Sequence, residues 1–555
     1  MSRLQPAGTS AWVDGTPRDN SYALIPATKY HTGPGRSGMS DRKRDLYTAL
    51  LIVGIAGAGA WTILYATHPG IGIYSDSTVY LRLARRLLAG HGYTILDIHG
   101  NVDPVPLFPF VYPTLLALPG LFQVNLLAGA RWLGAILFFA NVLLMGAISY
   151  RGCGNSIGAA AQAAIWACAS YDMLSYHAIL LSDATSLLFL LLAFMLMGNY
   201  LERPSPGSMV GAAAATALAF ATRYAAAALV IAGFAAILLW EKRAFAKRQL
   251  DAVLFGLGSS SLMILWMLRN MRYDQGATGR HLGFHPVLKM GLVKETLLGI
   301  SAWASNGHLE GADVYVRASI VAAVILVVLA AAARASFRKP GTDLWSALPL
   351  LYILSYIVVW LLTLTFLQAE VYIGSNRHFL PIHALMIVLV VHQGSRLYQR
   401  LEAGVPKTAA SVFCVAISVC FLVWATQWAR RTHEHGLGYA SSTYTHSKML
   451  EAIRGLPKDA RFYSNLPWPI GIYTDRLCAL LPIKIVETTF RENTEYRDQM
   501  EDFAETMREN DVYLAYFKEG DTWFAFPSIK DMQPFVALRA VAEVDDGTIY
   551  AAAGR

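Results

Sequence analysis

The sequence predicts a polytopic α-helical membrane protein of about 11 transmembrane helices, with a small α/β domain at its C-terminal end. Three observations predict it. The 555 residues are 55% hydrophobic and only 15% charged, where a soluble chain carries nearer a quarter charged residues. Apolar runs of about twenty residues recur, the length a helix needs to cross a bilayer. From about Ala429 to Arg555 the composition turns to that of a soluble domain.

Residues 1–45 are polar, rich in Gly, Pro and Ser, and lack the apolar core and cleavage site of a signal peptide. They read as a disordered cytoplasmic extension. The membrane domain follows at 46–428. Its spans are expected at 47–68, 123–150, 157–173, 183–200, 209–222, 224–240, 252–268, 315–333, 344–366, 379–391 and 409–428. Around Thr222-Arg223-Tyr224 two spans stand so close that one long kinked segment is the alternative. Basic residues set the orientation. Arg42, Lys43 and Arg44 precede the first span, and alternate loops then carry Arg151, Arg203, the Lys242 to Arg248 cluster, Arg334 to Lys339, and Arg396, Arg400 and Lys407. The positive-inside rule puts these loops and the N-terminus in the cytoplasm. The net charge of +8 follows this pattern and does not signal nucleic acid. An odd number of spans puts the C-terminal domain, 429–555, outside. There 447–454 and 496–509 read as helices, and 461–464, 511–517 and 548–552 as strands. The five cysteines have neither ligand nor disulfide spacing and read as small apolar fillers.

The outer loops hold the chemistry. The first opens with Tyr74-Ser75-Asp76-Ser77 and continues as an amphipathic run, Val79 to Ala89. Gly90-His91-Gly92 closes that run, and Phe108-Pro109-Phe110-Val111-Tyr112-Pro113 leads back to the membrane. Asp76 reads as a helix N-cap, as a general base, or as a cation ligand, and the cap and base readings are compatible. Arg82, Arg85 and Arg86 share one side of the run, either as a plain surface face or as contacts to lipid head groups. His177 and Asp183 flank a later outer turn, where Ser182 or Asp183 also suits as a cap. Asp76 and Asp183 on one face are candidate ligands for a shared divalent cation, Mg or Mn, or partners dividing acid and base work. Arg223, Arg269, Arg280 and Arg377 stand on the same outer side. Each alone is explained by snorkelling. Four on the side that disfavours basic residues point to phosphate, whose oxygens a guanidinium fork binds in pairs.

The first loop, with its Tyr-Ser-Asp-Ser, Gly90-His91-Gly92-Tyr93 and Phe-Val-Tyr-Pro, resembles the GT-C class of membrane glycosyltransferases. It is most similar to bacterial relatives of protein O-mannosyltransferases and lipid A aminoarabinose transferases. Leu181-Ser182-Asp183-Ala184, Ala221-Thr222-Arg223-Tyr224, Leu268-Arg269-Asn270 with Gly279-Arg280, Arg377-His378-Phe379-Leu380-Pro381 and Ser464-Asn465-Leu466-Pro467 match in the same order. The resemblance covers nearly the whole chain after Asp41. It implies an inverting transfer of a sugar from a polyprenyl-phosphate-type donor to a lipid, glycan or protein acceptor, at the outer face of a bacterial inner membrane. The C-terminal domain is then periplasmic. The resemblance implies Asp76 as the base and Asp183 as a donor or cation contact, with Arg269 and Arg377 on the carrier phosphate. His177, Arg223, Asn270, Arg280 and His378 complete the candidate donor-binding set. His378 departs from the class pattern, which has Tyr there.

The rival reading is a transporter or flippase of a lipid-linked sugar, which needs the arginines but no base. It calls for matched broken helices, and the sequence has none. A scaffold whose outer domain binds a partner leaves the clustered acids unexplained. Convergence of Asp76, Asp183 and an arginine on one cleft separates these readings.

Overall fold

The structure is a computed structural model. It describes residues 41–273, 276–280, 283–284, 290–305, 314–338, 343–367, 376–486, 491–518 and 525–554. Most of the expected N-terminal extension, Lys339, and Glu370 of a short outer loop lie outside the described residues. Eight described helices are long and apolar enough to cross a membrane, by length and composition. They are α1 (Asp41–Ala66), α4 (Leu126–Gly152), α7 (Asp183–Glu202), α10 (Phe245–Asn270), α12 (Val314–Arg338), α13 (Leu344–Phe366), α14 (Leu380–Arg400) and α15 (Val405–His435). Three further expected spans fall on shorter apolar helices, α5 (Ile157–Ala169), α8 (Pro206–Phe220) and α9 (Ala227–Trp240). Each of the eleven expected segments therefore lies on a helix, but three are shorter than the roughly twenty residues that a straight crossing needs.

Local chemistry explains those short lengths. Ser170 is extended at φ −77° and ψ 127°, and its hydroxyl accepts from the Met173 N–H. It ends α5 and starts α6 (Tyr171–His177), where one span to Met173 was expected. Arg223 is likewise extended at φ −149°. The chain around Thr222-Arg223-Tyr224 is thus a break between α8 and α9 and not one kinked helix. The helices pack through small residues. Ala160, Ala163, Ala164 and Ala167 of α5 and Ala212, Ala215 and Ala219 of α8 are buried. Such side chains let backbones approach closely where lipid supplies no hydrophobic drive between helices.

The amphipathic run expected over Val79 to Ala89 lies on α2 (Ser75–Leu88). Periodicity alone leaves other elements unannounced: the first loop also contains a hairpin of β1 (Thr94–Leu96) and β2 (Val102–Pro104), and α3 (Val111–Leu121). A further helix, α11 (Met290–Ser305), lies in the long outer loop.

The C-terminal unit has β3 (Arg461–Ser464), β4 (Cys478–Leu480), a small ribbon of β5 (Ile485–Val486) and β6 (Arg491–Glu492), then β7 (Val512–Phe517), β8 (Leu538–Val544) and β9 (Gly547–Ala552). The main sheet has the order β4-β3-β7-β9-β8, parallel across the first three strands and antiparallel beyond. On β7, Val512 and Leu514 join one apolar cluster, while Ala515 and Phe517 join another. That alternation covers both faces, as the period of two requires. Helices Lys448–Arg454 and Tyr496–Met507 match the expected pair, and β3, β7 and β9 match the expected strands. Ile98 of the β1–β2 turn sits in the first of these clusters. Arg461 forks onto Asp511 and donates to the Ile98 carbonyl at 3.0 Å. The first loop is thereby plugged into the C-terminal unit.

Candidate active site

The two acids stand at the starts of α2 and α7, and backbone pairing holds those starts together. The Gly72 N–H donates to the Ala178 carbonyl at 2.8 Å, and the Leu180 N–H donates to the Gly72 carbonyl at 2.9 Å. One residue on, the Tyr439 N–H donates to the Ile73 carbonyl at 2.8 Å. The segment before Asp76 is thus stitched to the segment before Asp183 on one side, and to the entry of the C-terminal unit on the other. Asp76 is not the N-cap of α2. Tyr74 holds that position, with its N–H on Ser77 Oγ at 3.0 Å, and Asp76 lies in the first turn. There its charge faces the positive end of the helix dipole.

Arg377 joins the acids. Its Nε donates to Asp183 Oδ2 at 2.8 Å, and its Nη1 bonds Asp76 Oδ2. Arg223 Nη1 reaches the same Asp183 oxygen at 2.8 Å and donates to Ser182 Oγ at 3.3 Å. Ser182 in turn shares a hydrogen bond with the Tyr80 hydroxyl at 2.8 Å. Tyr80 stands edge-on to Phe108 and Tyr112, at 5.1 and 4.8 Å between ring centres. Burial pushes its pKa up to about 12, the largest of several influences, so the hydroxyl keeps its proton. Asp76, Asp183, Arg223 and Arg377 therefore converge on one cleft, while Tyr80 and Ser182 join as partners the sequence reading gave no role in the site. Their signal was available: a tyrosine on the inner face of α2 and a serine beside Asp183.

The acids differ in surroundings. The Asp183 side chain is 3% exposed and lies between two guanidinia, whereas Asp76 is 33% exposed and meets one. One buried and one half-exposed acid are matched by two partly buried arginines, so the cluster's formal charges balance.

Of the remaining candidates, His378 stands beside the cluster, close enough to feel the charges of Arg223, Arg377, Asp183 and Asp76, and the others fall elsewhere. His177 is fully buried; its Nδ1 donates to the Met173 carbonyl at 2.6 Å and its Nε2 accepts from Asn141 Nδ2 at 2.8 Å. Asn141 also donates to the Ala184 carbonyl at 3.0 Å. His177 is thus a prop beneath the Asp183 helix and faces no cleft. Gly134 of α4 lets it sit there, since a Cβ at Gly134 would lie 2.4 Å from the His177 carbonyl oxygen. His378 follows Arg377, and its carbonyl accepts from the Tyr356 hydroxyl at 2.6 Å. Arg269 stacks over Trp266 and Tyr273, at 4.8 and 5.1 Å, and donates to the Tyr93 carbonyl at 3.1 Å and to Asn270 Oδ1 at 2.9 Å. Asn270 is buried and donates to the Ala277 carbonyl at 3.0 Å. Arg280 follows Gly279, where an added Cβ would lie 2.9 Å from the Pro106 ring of the first loop. Arg269 and Asn270 form a second group beside Tyr93.

Arg82, Arg85 and Arg86 have protein partners in place of head groups. Arg82 bonds the Leu96 carbonyl, Arg85 pairs with Asp475 at 3.0 Å, and Arg86 donates to Thr94 Oγ1 at 2.9 Å. They fasten α2 to the hairpin and the C-terminal unit.

A shared cation between Asp76 and Asp183 does not fit this arrangement. The guanidinium of Arg377 already bridges the two carboxylates, and Arg223 adds a second positive charge to Asp183. Among the described residues no group of three or more His, Cys, Asp or Glu side chains is placed to hold a metal.

The architecture has known counterparts. ArnT from Cupriavidus metallidurans, solved bound to undecaprenyl phosphate, superposes with a TM-score of 0.54 over 90% of this chain and 97% of its own, at 13% identity. The chain has the GT-C fold. The apo state of the same ArnT gives 0.55 over the same shares at 14% identity. The archaeal oligosaccharyltransferase AglB from Archaeoglobus fulgidus, solved with an inhibitory peptide and a dolichol-phosphate, gives 0.54 over 92% of this chain and 75% of its own, at 10% identity. No protein-family model and no curated protein matches the sequence. Within this fold the starts of α2 and α7 bring Asp76 and Asp183 onto one guanidinium.

Proposed function

We propose that this protein is an integral membrane glycosyltransferase. It transfers a sugar from a polyprenyl-phosphate-type donor to a lipid, glycan or protein acceptor at the outer face of a bacterial inner membrane, with inversion. The observation that carries the reading is the Asp76–Arg377–Asp183–Arg223 cluster within a GT-C fold. A transporter needs arginines for a carrier phosphate but no half-open carboxylate beside them.

The chemistry follows from the surroundings of each group. Asp183, enclosed by two guanidinia, holds them in place. Asp76 is the acid that an acceptor hydroxyl reaches, and it takes the proton as that oxygen bonds to the anomeric carbon. The bond from the anomeric carbon to the carrier phosphate breaks, and the phosphate leaves with the electron pair. Arg377 and Arg223 stabilise the charge that grows on it. Phosphate oxygens compete with Asp76 for the Arg377 fork, so donor binding releases the base as it fills the site. Arg269, stacked on aromatic faces beside Tyr93, is placed for the carrier end of the donor, with Asn270 beside it. Eleven crossings, a cytoplasmic N-terminus and a periplasmic C-terminal unit complete the reading. The purified protein, reconstituted with radiolabelled polyprenyl-phosphate sugars and membrane acceptors, tests it. Release of polyprenyl phosphate with label in the acceptor is expected. Movement of intact donor between leaflets without cleavage would establish the transporter instead.

A further inference from the structure

A buried acid–histidine pair lies outside this cluster. Asp172 begins α6 and is 1% exposed; His383, in the first turn of α14, is 8% exposed. His383 Nδ1 donates to Asp172 Oδ2 at 2.9 Å, and Trp303 of α11 stacks on the imidazole at 4.7 Å. A buried pair of this kind is weak as a source of stability, because desolvation offsets most of the attraction. Its geometry is informative. His383 lies six residues beyond Arg377, on the helix that continues from it. Asp172 and His177 bracket α6, and His177 reaches the first turn of α7 through Asn141 and the Ala184 carbonyl. The Arg377–Asp183 contact is therefore one side of a closed frame. The other sides are α6, the His177–Asn141 prop, and the Asp172–His383 pair.

We propose that the Asp172–His383 pair is a positioning device for Arg377, setting the guanidinium between Asp76 and Asp183 and so tuning its hold on the donor phosphate. This rests on the glycosyltransferase reading above. The pair is built to be polar. A cavity of about 40 Å³ adjoins it, lined also by Trp166, Tyr171 and Phe421. Asp172 Oδ1 and Trp303 Nε1 are buried without a protein partner and belong to residues lining that cavity. The space admits two or three water molecules at roughly 10–15 Å³ each, which supply the missing hydrogen bonds. Replacing the pair by apolar residues leaves the frame open at one corner, and Arg377 then has more than one resting place.

The test uses the full-length protein in detergent micelles, with undecaprenyl phosphate as the binding probe and sugar transfer as the second readout. His383→Phe keeps the ring stacked on Trp303 but removes the donor. It should weaken probe binding and raise the donor KM by about tenfold, with kcat at saturating donor changed far less. Asp172→Asn retains an oxygen for the His383 N–H and should restore near-parent affinity. His383→Phe with parent affinity in folded protein overturns the inference, as does a loss confined to kcat. Parent protein that binds no undecaprenyl phosphate overturns the functional reading and this inference with it. Parent binding with an unaffected variant overturns the inference alone.

Discussion

Asp76 and Asp183 carry the same charge and touch the same guanidinium, yet their neighbours sort them into different roles. Asp183 has two arginines and almost no solvent, so it orders the arginines. Asp76 has one arginine and an open side, which is why the proposed mechanism makes it the base. Asp76→Asn retains the shape and gives up the proton-accepting charge, its ion pair with Arg377 and a helix-dipole contribution of about 0.3–1 kcal/mol. Turnover by the folded variant should fall by roughly 10²–10⁴-fold, the usual share of a general base. Near-parent sugar transfer by a folded Asp76→Asn protein sinks the assignment. Arg377→Ala removes both bridges and should weaken donor binding by about 1.5–3 kcal/mol, the worth of a charge-assisted bond. Arg377→Lys recovers part of that, since an ammonium cannot span two carboxylates or fork onto a phosphate. Equal donor KM in the parent and the Ala variant would take Arg377 off the phosphate.

At the scale of elements, the site depends on where short helices begin. The Asp76 and Asp183 helices start side by side because Gly72 and Ile73 pair with the chain before each neighbour. Gly438 makes one of those pairings possible. Its φ is +55°, and a Cβ there would lie 2.2 Å from the Ile73 carbonyl oxygen and 3.0 Å from the Tyr74 ring. Gly438→Ala therefore costs about 1–2 kcal/mol in backbone strain alone and must shift the segment leading into α2. A lowered melting temperature with kcat reduced more than donor affinity is the expected result. Unchanged kcat in this variant would show that the C-terminal entry does not aim Asp76.

For the whole molecule, the predicted topology and the arginine-bridged acids each make a claim. A periplasmic reporter fused after Arg555 should be active and one fused after Lys247 silent, because the basic loops share one side. The opposite pattern would reverse every loop in the site. Because Arg377 occupies the position between the carboxylates, EDTA treatment of the purified protein should leave transfer unchanged. Loss of activity restored by Mg or Mn would place a cation where the guanidinium lies.

The sequence by itself determined the class of the protein, the helices that cover its apolar runs, which acids and arginines to single out, and the GT-C resemblance. Those properties are local. They depend on hydrophobic period, on the side of the chain that carries Lys and Arg, and on short motifs in order. Contacts between distant residues were decided only by the tertiary structure. Nothing in the spacing of Asp76, Asp183 and Arg377 says that one guanidinium spans both acids, 301 and 194 residues away in the chain. The same folding turned His177 inward as a prop and gave Arg82, Arg85 and Arg86 to the hairpin and the C-terminal unit. An amphipathic pattern shows which face of a helix is polar, but the partner of that face depends on which loops fold over it. Here Arg82 and Arg86 meet the hairpin of the first loop, and Arg85 meets Asp475 of the C-terminal unit.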